Sequence, residues 1–260
     1  MPVPGTFGDV TVEVGDDFVA VVEIHRPPSN FFDGQLIRWI SEAYEALDED
    51  PACRAIVLCA EGKHFCAGAD FSAPRAEPGG PPMPDLYTEA ARIIEAKTPV
   101  VAAVHGAAIG GGLGLACSAD FRVGCSETRM AANFARLGFH HGFGLTITLP
   151  PIVGQQKAMD LLLTGRRIDG EEAHRIGLLD RFVAPGEVRA EARRFAAEIA
   201  ASAPLAVRSI RETMRGDIGA RYRAATAREA QEQARLRATE DFREGIAASA
   251  QRRPPRFQGH

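Results

Sequence analysis

An uninterrupted aliphatic run of strand length feeds a triple glycine in the middle of this chain. Val100 to Val104 is closed by His105-Gly106, and Gly110-Gly111-Gly112 then opens an apolar helical stretch, Leu113 to Ala119. A related arrangement precedes it. The apolar run Ala55 to Cys59 leads into Gly62-Lys63-His64-Phe65-Cys66-Ala67-Gly68-Ala69-Asp70. Short apolar strands alternating with helical periodicity imply an α/β layer fold with parallel pairing. Glycines let a backbone approach its neighbour closely and adopt positive φ. A helix N-terminus adds unpaired N–H groups and a dipole that favours negative charge. Two such loops on adjacent strands could aim two N–H donors at one oxygen, which is the physical requirement of an oxyanion hole. Either loop alone is equally a close-packing device or a phosphate cradle. Gly110 to Gly114 does not match Gly-x-x-x-x-Gly-Lys-Ser/Thr, and it lies too late in the chain for a dinucleotide fingerprint.

The remaining segments fit around these loops. Val10 to Val14 and Phe18 to Ile24 read as strands joined by the turn Gly15-Asp16-Asp17, so a hairpin opens the fold. His25 to Asn30 is a Pro-rich loop. Leu36, Ile37, Ile40, Ala43, Tyr44 and Leu47 recur at helical spacing after Asp33, a candidate N-cap, and Pro51 stops that helix. Ser72 to Pro84, rich in Pro and Gly, reads as a mobile loop, and Leu86 to Ala96 as a helix. From Gly186 the pattern is almost wholly helical, broken at Pro204 and Gly216, which places a boundary near Ser202 between an α/β core (1–202) and a helical region (203–260). The mixed charges of Arg221 to Arg243 read as a solvated helix face.

Composition narrows the function. With 260 residues, 30 basic against 34 acidic side chains and a net charge of −4, nothing favours nucleic acid as a partner. The five cysteines are odd in number and form no Cys-x-x-Cys pair, so disulfides and structural zinc are not expected and a reducing cytoplasm is. His25, His105 and His174 form no metal-ligand spacing. No run approaches the ~20 apolar residues of a membrane span, and the N-terminus lacks a signal-peptide pattern.

The paired loops resemble the crotonase (enoyl-CoA hydratase/isomerase) superfamily, and the likeness covers nearly the whole chain. His25-Arg26-Pro27-Pro28-Ser29-Asn30 stands where the family commonly has Asn-Arg-Pro and a further Asn. Phe65-Cys66-Ala67-Gly68-Ala69-Asp70 is a close match to Phe-x-Ala-Gly-Ala-Asp. The run Lys97 to Gly106, the glycine triplet, Ser118-Ala119-Asp120, Leu162-Leu163-Thr164-Gly165 and Ala173 to Leu178 follow in order. The resemblance implies a spiral of repeated β-β-α units, and a helical C-terminal region that builds a trimer, often stacked as a hexamer. It implies an acyl-CoA thioester as substrate, with coenzyme A as part of that substrate and no separate cofactor. The N–H groups of Ala69 and Gly111 would hold the thioester oxygen, and His25, Arg26, Asn30, Lys63, His64, Phe65, Ala67, Gly112 and Phe134 would line the CoA and acyl site.

The same alignment removes the usual proton carriers. Hydration of an enoyl thioester needs two general acid/base groups, which are glutamates in the resembling hydratases. Their positions fall at Gly114 and Phe134 here, and Asn133 to Gly138 contains no carboxylate. The aspartate of thioester dehalogenases and dienoyl isomerases falls at about Gly142. Classical hydration is therefore expected to be weak, and Gly114→Glu with Phe134→Glu is expected to raise it. His140 and His141 could supply a proton, or could simply bond backbone and cap a helix. Asp70 could do so or clamp its loop. Tyr87 and Glu89 are a third source, with plain surface positions as the alternative. Cys66 reads as a small buried filler. Two readings stay open: an enzyme that stabilises an enolate without glutamates, and a protein that binds acyl-CoA without turnover.

Overall fold

In the computed structural model, which describes residues 5–70 and 85–260, β1 (Gly5–Phe7), β2 (Val10–Val14) and β3 (Val19–Ile24) pair antiparallel in sequence. The predicted hairpin is there, and the turn closes with the Gly15 N–H on the Val19 carbonyl at 3.0 Å. Asp33 caps α1 (Gly34–Asp48), its carboxylate accepting from the Leu36 N–H at 2.8 Å. The helix buries Leu36, Ile37, Ile40, Ala43, Tyr44 and Leu47, the face that its periodicity marked. Next come β4 (Ala55–Ala60), α2 (Leu86–Glu95), β5 (Val100–Val104), β6 (Ala107–Ile109), α3 (Gly111–Ser118), β7 (Phe121–Cys125) and β8 (Arg129–Ala131). They are followed by α4 (Leu145–Val153), α5 (Gln155–Thr164), β9 (Arg167–Asp169), α6 (Gly170–Arg175) and β10 (Arg181–Val183). Four helices end the chain: α7 (Val188–Ala200), α8 (Pro204–Arg215), α9 (Ile218–Leu236) and α10 (Glu240–Ala250). The expected mobile stretch Ser72 to Pro84 lies outside the described residues.

The main sheet has the order β1-β2-β3-β4-β5-β7-β10, parallel from β3 onward, and a small sheet β6-β8-β9 stands apart from it. All six residues of β4 and all five of β5 are buried, because helices cover both faces of the sheet. One face packs on α1, α2 and α3. The other sets Val57, Val101, Ala103 and Val123 against Val188, Ala192 and Ala196 of α7. The result is the α/β architecture with C-terminal helices that the sequence led us to expect. The five cysteines are buried and free. Among the described residues, no helix is long and apolar enough to cross a membrane.

Helix α8 is amphipathic in the reverse sense. Its arginines face the body of the molecule: Arg208 donates to the Asp48 carbonyl (2.9 Å) and Thr98 Oγ1 (3.0 Å), while Arg211 and Arg215 both pair with Asp120 (2.9 and 3.0 Å). Leu205, Ile210 and Met214 are left 82%, 64% and 81% exposed.

Candidate active site

The two glycine loops are stitched together by backbone. Phe65 N–H donates to the His105 carbonyl (2.9 Å), Cys66 N–H to Ala107 (2.9 Å), and Ile109 N–H back to Cys66 (3.0 Å). Cys66 and Ala108 form a parallel bridge, and three residues further along each segment stand Ala69, in the first loop, and Gly111, at the start of α3. Phe32 then fixes both. Its N–H donates to the Gly68 carbonyl at 3.0 Å within a parallel bridge to Ala69. In such a bridge the bonds come from the residues flanking Ala69, so Ala69 turns its own N–H the other way. The Phe32 ring lies over Gly111, where a Cβ would fall 2.2 Å from Cζ. Gly111 opens α3 behind Gly110, whose φ of 58° suits glycine. Its N–H is one of the helix's orphan donors. Among the described residues neither the Ala69 nor the Gly111 N–H meets a carbonyl.

Both residues line a cavity of about 600 Å³. Phe31, Phe32, Phe134, Leu137, Phe139 and Phe143 make it largely apolar, and α2, α9 and α10 add Tyr87, Gln233, Arg237, Ile246 and Ser249. Its titratable side chains, among the described residues, are Asp70, Tyr87 and Arg237. Tyr87 donates to Gln233 Oε1 at 3.1 Å, and burial, then the nearby Glu229 carboxylate, pushes its hydroxyl up to about 12. It is therefore a proton or hydrogen-bond donor at neutral pH.

Positions 114 and 134, where the resemblance would place the family glutamates, are filled by packing. A Cβ on Gly114 would lie 2.5 Å from Phe143 Cβ and 2.9 Å from its Cγ. Phe134 stacks edge-on against Phe139, with centroids 5.4 Å apart, and Phe139 in turn against Phe242 at 5.3 Å. At Gly142 the direction of a side chain is occupied by the Tyr87 hydroxyl (2.3 Å) and Gln233 Nε2 (2.5 Å).

Other residues singled out by sequence lie elsewhere. His140 and His141 do not line the cavity. Their rings stack 4.1 Å apart, His140 Nδ1 meets the His141 carbonyl (2.8 Å), and His141 Nε2 meets Thr146 Oγ1 (2.8 Å). Burial, then the His140 ring, lowers His141 to about 4. Beneath them Glu229 caps α4, accepting from the N–H groups of Gly144 (2.8 Å) and Thr146 (3.1 Å). Glu89, for which a surface position was the alternative, is buried beside Ser41 and ion-paired to Arg92, so it does not reach the cavity. Cys66 is fully buried, and desolvation raises its thiol to about 12, as a filler requires.

The expected CoA-channel residues divide into braces and free groups. Asn30, fully buried at φ 49°, donates to the carbonyls of Glu61 (2.7 Å) and His64 (2.6 Å) and accepts from Arg26 N–H (2.9 Å). Arg26 pairs with Asp9 (2.7 Å) and Asp33 (3.1 Å), and His25 bridges Glu61 and Thr11 (both 2.8 Å). Phe65 is fully buried, and Gly112 packs against the Cys66 carbonyl, so both are scaffold for the loops. His64 accepts from Ala107 N–H at 3.2 Å, and burial lowers its pKa. Lys63 is exposed. Gln233, Arg237 and Phe32 were not singled out by sequence; the doublet Phe31-Phe32 beside the Asn30 loop was the one local signal.

The comparisons with known proteins agree with this geometry. Residues 15–260 match the family described as "Enoyl-CoA hydratase/isomerase". The chain is 32% identical over 249 residues to a probable enoyl-CoA hydratase of Bacillus subtilis, covering 94% of this chain and 96% of that one. It is 35% identical over 255 residues to the crotonyl-CoA hydratase of Syntrophomonas wolfei, covering 93% and 95%. The crystal structure of an enoyl-CoA hydratase/isomerase from Pseudoalteromonas atlantica superposes with a TM-score of 0.86 at 30% identity, over 96% of this chain and 100% of that one. A match through 260 that takes in both stitched loops leaves one conclusion: this chain belongs to the enoyl-CoA hydratase/isomerase family, within the crotonase superfamily.

Proposed function

We propose that the protein binds an acyl-CoA thioester with its carbonyl oxygen between the N–H groups of Ala69 and Gly111, and stabilises the enolate that forms there. The observation that carries this reading is the pair of register-matched backbone donors, both without a carbonyl partner among the described residues, in the wall of one cavity. Proton handling falls to Tyr87 and Asp70, which line that cavity, and no glutamate stands at 114 or 134. Classical hydration is accordingly slow. The oxyanion donors still lower the barrier, since one such donor is typically worth ~3 kcal/mol. His140 and His141 brace the start of α4. Lys63 and His64 are left to meet the phosphates of coenzyme A, and no separate cofactor is needed for this chemistry.

A protein that binds acyl-CoA without turnover is the second reading. The titratable Tyr87 and Asp70 in the lining favour the enzyme. The exposed apolar face of α8 supports a homotrimer or a dimer of trimers, because isolated helices seldom leave Leu205, Ile210 and Met214 in water. The buried free thiols support a cytoplasmic setting. Calorimetry with butyryl-CoA, crotonyl-CoA and succinyl-CoA tests the binding reading, and heat signals absent for all three would overturn it. Crotonyl-CoA hydration at an ordinary enzymatic rate would overturn the assignment of slow hydration.

A further inference from the structure

The cavity wall built by α2 and α9 is polar in a specific way. Gln233, in the last turn of α9 and four residues before the C-cap residue Arg237, is 7% exposed, and its Nε2 donates to the His140 carbonyl at 3.1 Å. That bond fixes the amide, so its Oε1 faces Tyr87 Oη (3.1 Å) and Arg237 Nη2 (3.4 Å). Two donors, the Tyr87 hydroxyl and the Arg237 guanidinium, thus converge on one amide oxygen in this part of the lining. The Arg237 guanidinium lies 5.5 Å over the Phe139 ring, itself a cavity residue, which holds it against the wall. Among the described residues Arg237 has no carboxylate partner, although its neighbours on α9, Arg228 and Arg235, both pair with Glu232. The cavity's one carboxylate among the described residues, Asp70, belongs to the oxyanion-loop wall.

An all-hydrocarbon acyl chain would cover the remaining N–H groups of Arg237 without offering an acceptor, and donors buried unpaired cost free energy. An acyl group ending in a carboxylate would instead lay its methylenes along Leu137, Phe139 and Ile246 and present two oxygens to the guanidinium. From this juxtaposition we propose that the substrate is the mono-CoA thioester of a dicarboxylic acid, its free carboxylate held by Arg237. The proposal rests on the acyl-CoA reading above.

Succinyl-CoA and butyryl-CoA form a matched pair, differing by a carboxylate in place of a terminal methyl, and calorimetry on the full chain compares them. Succinyl-CoA is expected to bind about tenfold more tightly, the lower end for a charge-assisted contact because Arg237 is partly in solvent. Arg237→Gln should bring the ratio of the two affinities to about one, and Arg237→Lys should keep part of it, as a point charge without the fork. Arg237 is exposed, so the variants are expected to fold, which thermal unfolding checks. Equal affinities in the wild type, or a ratio that survives Arg237→Gln, overturn the proposal. So does an Arg237→Gln loss shared equally by free coenzyme A and both thioesters, which would assign the guanidinium to a CoA phosphate. Silence with both thioesters and with coenzyme A would instead remove the acyl-CoA reading itself.

Discussion

Replacing Gly114 by alanine separates two opposite expectations by sign. Gly114 lies inside α3, and in an unconstrained helix interior Gly→Ala stabilises by about 1 kcal/mol. Here the added Cβ would meet Phe143 Cβ at 2.5 Å, Cγ at 2.9 Å and Cδ1 at 3.0 Å. Phe143 is 2% exposed, has φ 57° and packs edge-on against Phe32 at 5.5 Å, so its ring has little room to withdraw. Overpacking of this kind costs ~1–3 kcal/mol. Gly114→Ala should therefore destabilise by up to about 2 kcal/mol after the helix gain, read as a lower urea midpoint at fixed protein concentration. Phe143→Gly alone, at a φ that glycine tolerates, should cost ~3–5 kcal/mol through the cavity it leaves. Because that change removes the Cβ as well as the ring, Gly114→Ala should in that background become neutral or stabilising, a coupling of ~1–3 kcal/mol. A Gly114→Ala protein more stable than the wild type would refute the packing argument. The same contact changes the expectation drawn from sequence for the glutamate pair. Gly114→Glu with Phe134→Glu has no space for the first carboxylate until Phe143 is truncated, so hydration should rise only in the triple variant.

Tyr87→Phe removes the hydroxyl that faces the cavity; kcat for a thioester that the enzyme turns over should fall at least ~10-fold with KM little changed, and an unchanged kcat would exclude Tyr87 as the proton donor. His141 is held at about 4 in the folded chain against ~6.5 unfolded, so the unfolded state binds its proton first. Stability from this group is complete above ~6.5 and is lost as pH falls toward 4, by up to ~3 kcal/mol, with the raised Glu229 carboxyl working in the opposite direction; His141→Gln should flatten that acid limb in urea titrations between pH 7 and 5, and an identical limb would count against the assignment. Asp120→Asn leaves Arg211 and Arg215 without their carboxylate, should cost ~3 kcal/mol, and should lower the mass seen by light scattering if α8 carries the subunit contact; stability and mass both unchanged would refute this.

What was legible in the sequence was mostly what depends on local pattern. The opening hairpin, the Asp33 cap, the buried face of α1 and the breaks at Pro204 and Gly216 follow from alternation, capping and helix-breaking within a few residues. The two loops could be paired because each carries its own glycines. The three-residue strands β6, β8 and β9 are too short to show a period, yet β6 sets the register that brings Ala69 level with Gly111. The burial of Glu89 was hidden because its partners come from elsewhere: Ser41 is 48 residues away, and Arg92 is placed by Glu45. Gln233 and Arg237 looked like part of a solvated charge face, since nothing near them in sequence signals a cavity. Only the return of α9 across α2 brings them to Tyr87.

That return also bears on what glycine at 114 and phenylalanine at 134 would mean for the proposed site. A site with carboxylates at 114 and 134 would repel an acyl group that itself ends in a carboxylate, because like charges a few ångström apart in a largely apolar cavity are poorly screened. In this chain Phe143 and Phe134 occupy those places, and the opposite wall carries a tyrosine hydroxyl and a guanidinium, both donating to the Gln233 amide oxygen. The change is thus one of sign as well as of number. On the proposed reading the acyl site lacks two proton acceptors and offers a cation to the acyl tail, while the N–H groups of Ala69 and Gly111 serve as the oxyanion donors. A carboxylated thioester would therefore meet favourable charge at both ends, the carbonyl oxygen at the N–H pair and the tail at Arg237. Such two-point holding positions Cα for proton exchange without requiring a glutamate to orient it.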